Sequence, residues 1–184
     1  MTKPLWQYSA VDLQRGITGR DFSAREVVSS VTARMQAENP SLNAVIFDYT
    51  DQALAQADLV DERLAKGAAP RMLEGIPVTI KVNVDLTGTP TTNGLPVFAN
   101  NLAPGNSPIV QNLLNEGAII IGKTNTPELS MRGTTDNPLH GLTKSPWDGR
   151  ASPGGSSGGA GAACAAGFGP IHHGNDIAGS LRFP

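Results

Sequence analysis

Two apolar, β-branched runs flank a short helical segment in the middle of the chain. Residues 75–82, Gly-Ile-Pro-Val-Thr-Ile-Lys-Val, read as a buried strand whose one charged residue is Lys81. Residues 107–116 read as a helix, with Ser107 as N-cap, Pro108 in the first turn and Gly117 at the end. Ala118 to Ile121 form a second strand candidate. A strand, a helix and a strand in succession bring the two strands side by side and parallel. The expectation is an α/β fold, a mixed β-sheet flanked by helices.

The residues before this unit, from about 9 to 66, read as mostly helical. Ser23-Ala24-Arg25-Glu26 has the form of a capping box, in which the Ser hydroxyl and the Glu carboxylate satisfy free N–H groups at a helix start. Val27, Val28, Val31 and Met35 then recur at helical spacing. Asn39-Pro40 is expected to end that helix, because a proline disfavours helical backbone at the residue before it. Leu42 to Phe47 is a short strand candidate, and a second helix is expected from Asp51 to Lys66 with Gly67 as its cap. Further on, Thr126-Pro127 starts a short helix through Met131, and residues 133–155 read as loop.

Composition removes several function classes. The chain has 184 residues, a formal net charge of −2 and only 16% charged residues. No basic excess argues for nucleic acid or an anionic membrane surface. One cysteine excludes a disulfide framework and a multi-cysteine zinc site. No apolar run approaches the roughly 18 residues of a membrane span. A soluble, cytoplasmic chain without nucleic-acid or membrane partners is expected.

Glycine is concentrated late. Ten of the 21 glycines fall between Gly149 and Pro184. Three features there and upstream carry chemistry. Lys81 is a lysine in an apolar strand. It either snorkels to solvent from the strand end or loses its charge on burial and becomes a base. Gly154-Gly155-Ser156-Ser157-Gly158-Gly159, followed by alanines to Ala166, reads as a loop that places a serine hydroxyl by backbone geometry. The alternative, a flexible linker, fits poorly with the helix-forming alanines that follow at once. The Gly-Lys-Ser/Thr of a phosphate-binding loop is absent, and the glycine pattern is a poor dinucleotide fingerprint. Gly174-Asn175-Asp176-Ile177-Ala178-Gly179-Ser180-Leu181-Arg182 places small residues before a serine, so that several N–H groups can converge on one point as an oxyanion hole does.

These segments, with Ile-Ile-Ile-Gly-Lys-Thr-Asn-Thr-Pro-Glu-Leu-Ser-Met-Arg-Gly (119–133) and Asn-Pro-Leu-His-Gly-Leu-Thr-Lys-Ser-Pro-Trp-Asp (137–148), resemble the amidase signature family of serine amidases. The resemblance covers the chain from about residue 20. Ser156 and Ser180 stand 24 positions apart, as the family pattern requires. It implies a Ser–Ser–Lys triad: Ser180 as nucleophile, Ser156 as proton relay after a cis peptide bond at Gly155–Ser156, and Lys81 as base. It implies an oxyanion hole from the N–H groups of Ile177, Ala178, Gly179 and Ser180. Gly155, Ser157, Asp176 and Arg182 match supporting positions, and Met131 matches one that lines the acyl side of the pocket. No cofactor and no metal is implied. The substrate would be a small-molecule amide.

By the same resemblance, residues 1–70 are an N-terminal helical arm and residues 71–184 the N-terminal portion of the catalytic core. Family members are much longer, so the chain reads as a fragment that alone is weakly active or inactive. A homodimer and a missing C-terminal segment are the protein partners considered. Two departures stand out. Ala178 occupies a position where glycine is common, and His172-His173 replaces small or apolar residues. Adjacent histidines on a strand face opposite ways, so joint metal ligation is not expected. Cys164, in the alanine-rich helix, is expected to be a buried small apolar residue. Two other readings compete: a glutamine-dependent amidotransferase component that releases ammonia for a partner, and a catalytically dead remnant that binds a partner.

Overall fold

The structure, a computed structural model, describes residues 3–184. Its regular elements are α1 (Ala10–Gly19), α2 (Ala24–Leu42), β1 (Val45–Asp48), α3 (Thr50–Ala65), β2 (Pro77–Lys81), α4 (Pro108–Asn115), β3 (Ile119–Thr124), α5 (Gly158–Ala166) and β4 (Ile171–His172). The strands form one mixed sheet in the order β1-β3-β2-β4. β2 pairs with β3 and with β4 in parallel, whereas β1 is antiparallel to β3. The strand–helix–strand unit expected from the middle of the chain is β2-α4-β3. No helix among the described residues is long and apolar enough to cross a membrane.

Two apolar cores hold the sheet. Val78 and Ile80 on β2 pack with Val110 of α4 and Ile120 of β3. The larger core joins Val27, Val28, Val31 and Met35 of α2 to Ile119 and Ile121 of β3, to Ala162 and Ala163 of α5, and to Phe168. Residues before and after position 70 therefore share one core. Every residue of β2 and β3 is buried, so each strand is covered on both faces, as central parallel strands are. The side chains of a strand alternate between faces. Thr79 and Lys81 thus leave the α4 side to Val78 and Ile80.

Local signals explain most boundaries. The Ser23 capping box forms in full: its hydroxyl accepts from the Glu26 N–H at 3.0 Å, and the Glu26 carboxylate accepts from the Ser23 N–H at 2.7 Å. One expected boundary differs, and one expected cap forms without its side chain. Helix α2 does not stop at Asn39-Pro40 but runs to Leu42. Its last turn is tied down by Asn39, whose carbonyl accepts from the Asn43 N–H. The Asn39 side-chain oxygen accepts from the N–H groups of Ala44 and Val45. These bonds fix the turn that follows Pro40 and carry the chain from the helix into β1. Ser107 starts α4 through its backbone carbonyl, which accepts from Gln111. Its hydroxyl makes no cap bond and is buried without a partner among the described residues.

Helix α5 lies against the sheet through residues without side-chain bulk. A Cβ on Gly159 would stand 2.4 Å from the Asn125 nitrogen, so only glycine permits that approach. At the other end of the helix the expectation for Cys164 is corrected. Cys164 is exposed beside Ala165, on the side of α5 turned away from the buried Ala162, Ala163 and Ala166. Glu74 is fully buried under Arg63 and Arg71. Burial pushes its carboxyl upward, but the hydrogen bonds from Arg71 and the charges of Arg71 and Arg63 together hold it below the ordinary range.

Phe168 is the largest apolar side chain with no exposure in the core. Phe168→Ala should lower unfolding stability by about 3–5 kcal/mol, measured by urea denaturation. A loss below ~1 kcal/mol would mean that this core is not the one that supports the sheet.

Candidate active site

Strand β2 ends in Lys81, and helix α5 begins just after Ser156 and Ser157. The end of one parallel strand and the start of one helix therefore face each other, where open α/β sheets commonly place ligands. Lys81 has no solvent exposure; the snorkelling alternative is not what the structure shows. Its Nζ lies 2.7 Å from Ser156 Oγ, 3.1 Å from Ser157 Oγ and 2.8 Å from Asn175 Oδ1. Burial pushes the Lys81 ammonium down to about 8, against a smaller upward pull from Asp176. A lysine in that range has a neutral, proton-accepting population at neutral to mildly alkaline pH.

Ser156 connects Lys81 to Ser180. Ser156 Oγ and Ser180 Oγ are 2.9 Å apart. The peptide bond Gly155–Ser156 is cis. Ser156 is further held by its carbonyl, which accepts from Thr126 Oγ1 at 2.9 Å. The amine and the two hydroxyls thus form one continuous chain of hydrogen bonds. Hydroxyl protons rotate, so the same three heavy atoms can pass a proton in either direction.

The loop before Ser180 is organised by Asp176. Its carboxylate accepts from the Gly179 N–H at 2.7 Å and the Leu181 N–H at 3.0 Å, and it holds the Arg182 guanidinium at 2.9 and 3.0 Å. The Arg182 pairing and these two N–H bonds keep the Asp176 carboxyl well below the usual carboxylate range. Of the four N–H groups expected to form an oxyanion hole, one is already engaged. The Gly179 N–H is occupied by Asp176, while those of Ile177, Ala178 and Ser180 have no protein partner among the described residues. The physical reason is that the carboxylate needs a tight turn to reach both N–H groups, and Gly179, with φ of +116°, makes that turn.

A cleft of about 530 Å³ opens over these groups. Ser156 and Ser180 lie in it, with Gly155, Met131 and the 177–179 backbone along its sides. Met131, expected on the acyl side, is 80% exposed at its edge. Ser157 donates to the Asn175 carbonyl and Arg182 to the Asp176 carboxylate. Three lining groups carried no signal of their own: Asn83, Ser130 and Asn175. Asn175 lies in the quoted motif, but nothing about an asparagine there says that it faces a lysine 94 positions away. Ser130 is placed by left-handed backbone at Leu129 and Ser130 (φ of +49° and +59°), a conformation rare outside glycine and asparagine. The expected helix through Met131 is only a short 3-10 turn, Glu128–Ser130.

The two histidines separate as strand alternation requires. His172 Nδ1 pairs with Thr79 Oγ1 at 2.8 Å, and Nε2 meets the Gly169 carbonyl at 3.0 Å. Burial lowers His172 to about 4. His173 has a buried Nδ1 without a partner among the described residues, and burial and then Lys81 lower its basicity. Among the described residues, no three His, Cys, Asp or Glu side chains converge as a metal site would.

The same arrangement of strand, loop and helix recurs in known proteins. Residues 26–184 match the Amidase family, and the chain belongs to that family. It is 54% identical over 181 residues to an indoleacetamide hydrolase of Bradyrhizobium diazoefficiens, covering 98% of this chain and 34% of that protein. It is 39% identical over 178 residues to a component of the glutamyl-tRNA(Gln) amidotransferase of Alkaliphilus metalliredigens, covering 97% of this chain and 36% of that one. A solved bacterial aryl acylamidase of the amidase signature family superposes with a TM-score of 0.94 at 32% identity, over 98% of this chain and 38% of that one. The chain spans about a third of the length of the curated relatives it matches.

Asp176 favours the ammonium form of Lys81, since an anion stabilises a nearby cation. Asp176→Asn should therefore move the Lys81 titration below about 8, read from the 13Cε shift of labelled lysine. A midpoint that stays or rises would show that Asp176 serves only the Ser180 loop.

Proposed function

We propose that this chain carries the catalytic groups of an amide hydrolase, in which Ser180 forms an acyl-enzyme, Ser156 relays protons and Lys81 is the base. The observation that carries this reading is the unbroken run from Lys81 Nζ through Ser156 Oγ to Ser180 Oγ, at 2.7 and 2.9 Å. In the first step, neutral Lys81 takes the Ser156 hydroxyl proton while Ser156 takes that of Ser180. The Ser180 oxygen adds to the amide carbonyl, and the carbonyl electron pair moves to oxygen. The N–H groups of Ile177, Ala178 and Ser180 receive the negative charge, as preorganised donors do. When the C–N bond breaks, Ser156 gives a proton to the leaving amine and recovers one from Lys81. Water then enters by the same relay, and Ser180 leaves as the hydroxyl. In this reading residues 1–70 act as scaffold and residues 71–184 carry the chemistry.

The nearby side chains favour an apolar acyl group. Leu129, Met131, Ile177 and Phe183 border the cleft, and all four are more than half exposed. Together with the 54% identity to an indoleacetamide hydrolase, this makes primary amides of arylacetic acids the first substrates to try. The amidotransferase relative favours one second reading, ammonia release from glutamine for a partner protein. Ammonia from an arylacetamide without added protein supports the first reading; ammonia from glutamine, and only with a partner, supports the second.

The pH dependence follows from the base. Activity should rise through a midpoint near the Lys81 value of about 8, because protonated Lys81 cannot accept the relay proton. Lys81→Ala should lower kcat by about 10²–10⁴-fold, the usual contribution of a general base, and abolish that acid limb. A Lys81→Ala variant with the parental pH profile would remove Lys81 from the role.

A further inference from the structure

The acceptors around Lys81 leave one direction open. We propose that Asn175 is a positioning residue for the Lys81 amine. Its side-chain oxygen, together with Ser157 Oγ, takes the two N–H groups of neutral Lys81 and so turns the nitrogen lone pair toward Ser156. The inference deepens the amide-hydrolase reading and rests on it.

A neutral lysine amine has two N–H donors and one lone pair, and three groups stand within bonding distance of Lys81 Nζ. Asn175 Oδ1, at 2.8 Å, can only accept. Ser157 Oγ, at 3.1 Å, gives its own proton to the Asn175 carbonyl at 3.1 Å, so toward Lys81 it also accepts. Ser156 Oγ, at 2.7 Å, is the remaining neighbour, and its hydroxyl proton can rotate from Ser180 to the amine. With both N–H groups engaged elsewhere, the lone pair faces the hydroxyl that must be deprotonated.

The orientation of the Asn175 amide is itself fixed. Its Nδ2 donates to Asn83 Oδ1 at 3.3 Å, and Asn83 Nδ2 donates to Ser130 Oγ at 3.3 Å. Ser130 Oγ meets Thr126 Oγ1 at 3.0 Å, and Thr126 Oγ1 donates to the Ser156 carbonyl at 2.9 Å. The ring closes on Ser156, the partner of Lys81. Asn83 and Ser130 also line the cleft, so the wall beside the substrate and the aim of the base belong to one network.

The charged surroundings of Lys81 are few. Asp176, paired with Arg182, lies on the same loop as Asn175. His173 follows β4 and is less basic than ordinary histidine, hence neutral across the titration of Lys81. On β3, Lys123 is bonded to the Pro90 carbonyl. Helix α5 contributes only the exposed Cys164. A carboxylate at position 175 would be a new anion in direct contact with Lys81.

The test uses the 184-residue chain with 13Cε-labelled lysine, Lys81 being assigned with Lys81→Met, and two variants checked for folding by circular dichroism. Asn175→Asp should raise the Lys81 midpoint by about one to three pH units, and Asn175→Leu should lower it, since an acceptor of the charged form is gained or lost. The rate of phosphonylation at Ser180 by a fluorophosphonate, divided by the neutral fraction of Lys81, should fall about ten- to a hundredfold in Asn175→Leu, the scale of a small misplacement of a catalytic group. Asn175→Asp, which keeps an acceptor oxygen, should recover most of that loss. If Asn175→Leu labels as fast per neutral Lys81 as the parent, Asn175 does not aim the amine. Midpoints unchanged in both folded variants would overturn the contact itself. Failure of the parent to label at all, with the midpoints shifted as expected, would instead count against an assembled hydrolase site in this chain while leaving the Asn175 contact standing.

Discussion

The site is organised around a hydrogen bond of 2.7 Å between a lysine amine without solvent exposure and a serine hydroxyl. Burying an ammonium is costly, and the cost is what makes a lysine titrate low enough to serve as a base. The fold supplies that burial from several sides. The sheet places Lys81 at the end of a strand with no exposed residue. The start of α5 presents Ser156 and Ser157, and the close approach of Gly159 to Asn125 lets that helix sit near the sheet. Asp176 organises the loop that brings Ser180 within 2.9 Å of Ser156. Moving any one of these elements by an ångström would break the chain of bonds.

Much of this was legible in the residues, and the divisions follow from the range of the physics. The capping box at Ser23 and the glycine ending at Gly67 are local, and both form. The parallel pairing of β2 and β3 follows from a crossover that has few alternatives. Pro40 misleads because the helix runs on to Leu42 and closes at Asn43, where the Asn39 side chain bonds the backbone of Ala44 and Val45 that follows it. The identity of α5 as a helix is readable from its alanines, but the facing of Cys164 depends on which side the core occupies. Asn83, Ser130 and Asn175 were invisible as site residues. Their roles arise from contacts across the sheet and from left-handed backbone at Leu129 and Ser130, and neither has a signature in a single sequence.

Family membership and geometry constrain different parts of the account. The match over residues 26–184 and the superposition on an aryl acylamidase establish the fold and its family. A shared fold does not fix the substrate, which is set by the site's own residues. In this chain the near wall is apolar at Leu129, Met131 and Ile177 but polar at Asn83 and Ser130. The cleft therefore has an apolar side and a side lined by an amide–hydroxyl network.

The measurement that bears most directly on the central claim is peptide mapping of the chain after reaction with a fluorophosphonate, with Ser156→Ala and Ser180→Ala alongside. The account predicts one phosphonyl adduct, on Ser180, absent in Ser180→Ala and strongly slowed in Ser156→Ala. An adduct on Ser156, or labelling of Ser180 at the same rate without the Ser156 hydroxyl, would contradict the relay from Lys81 to Ser180.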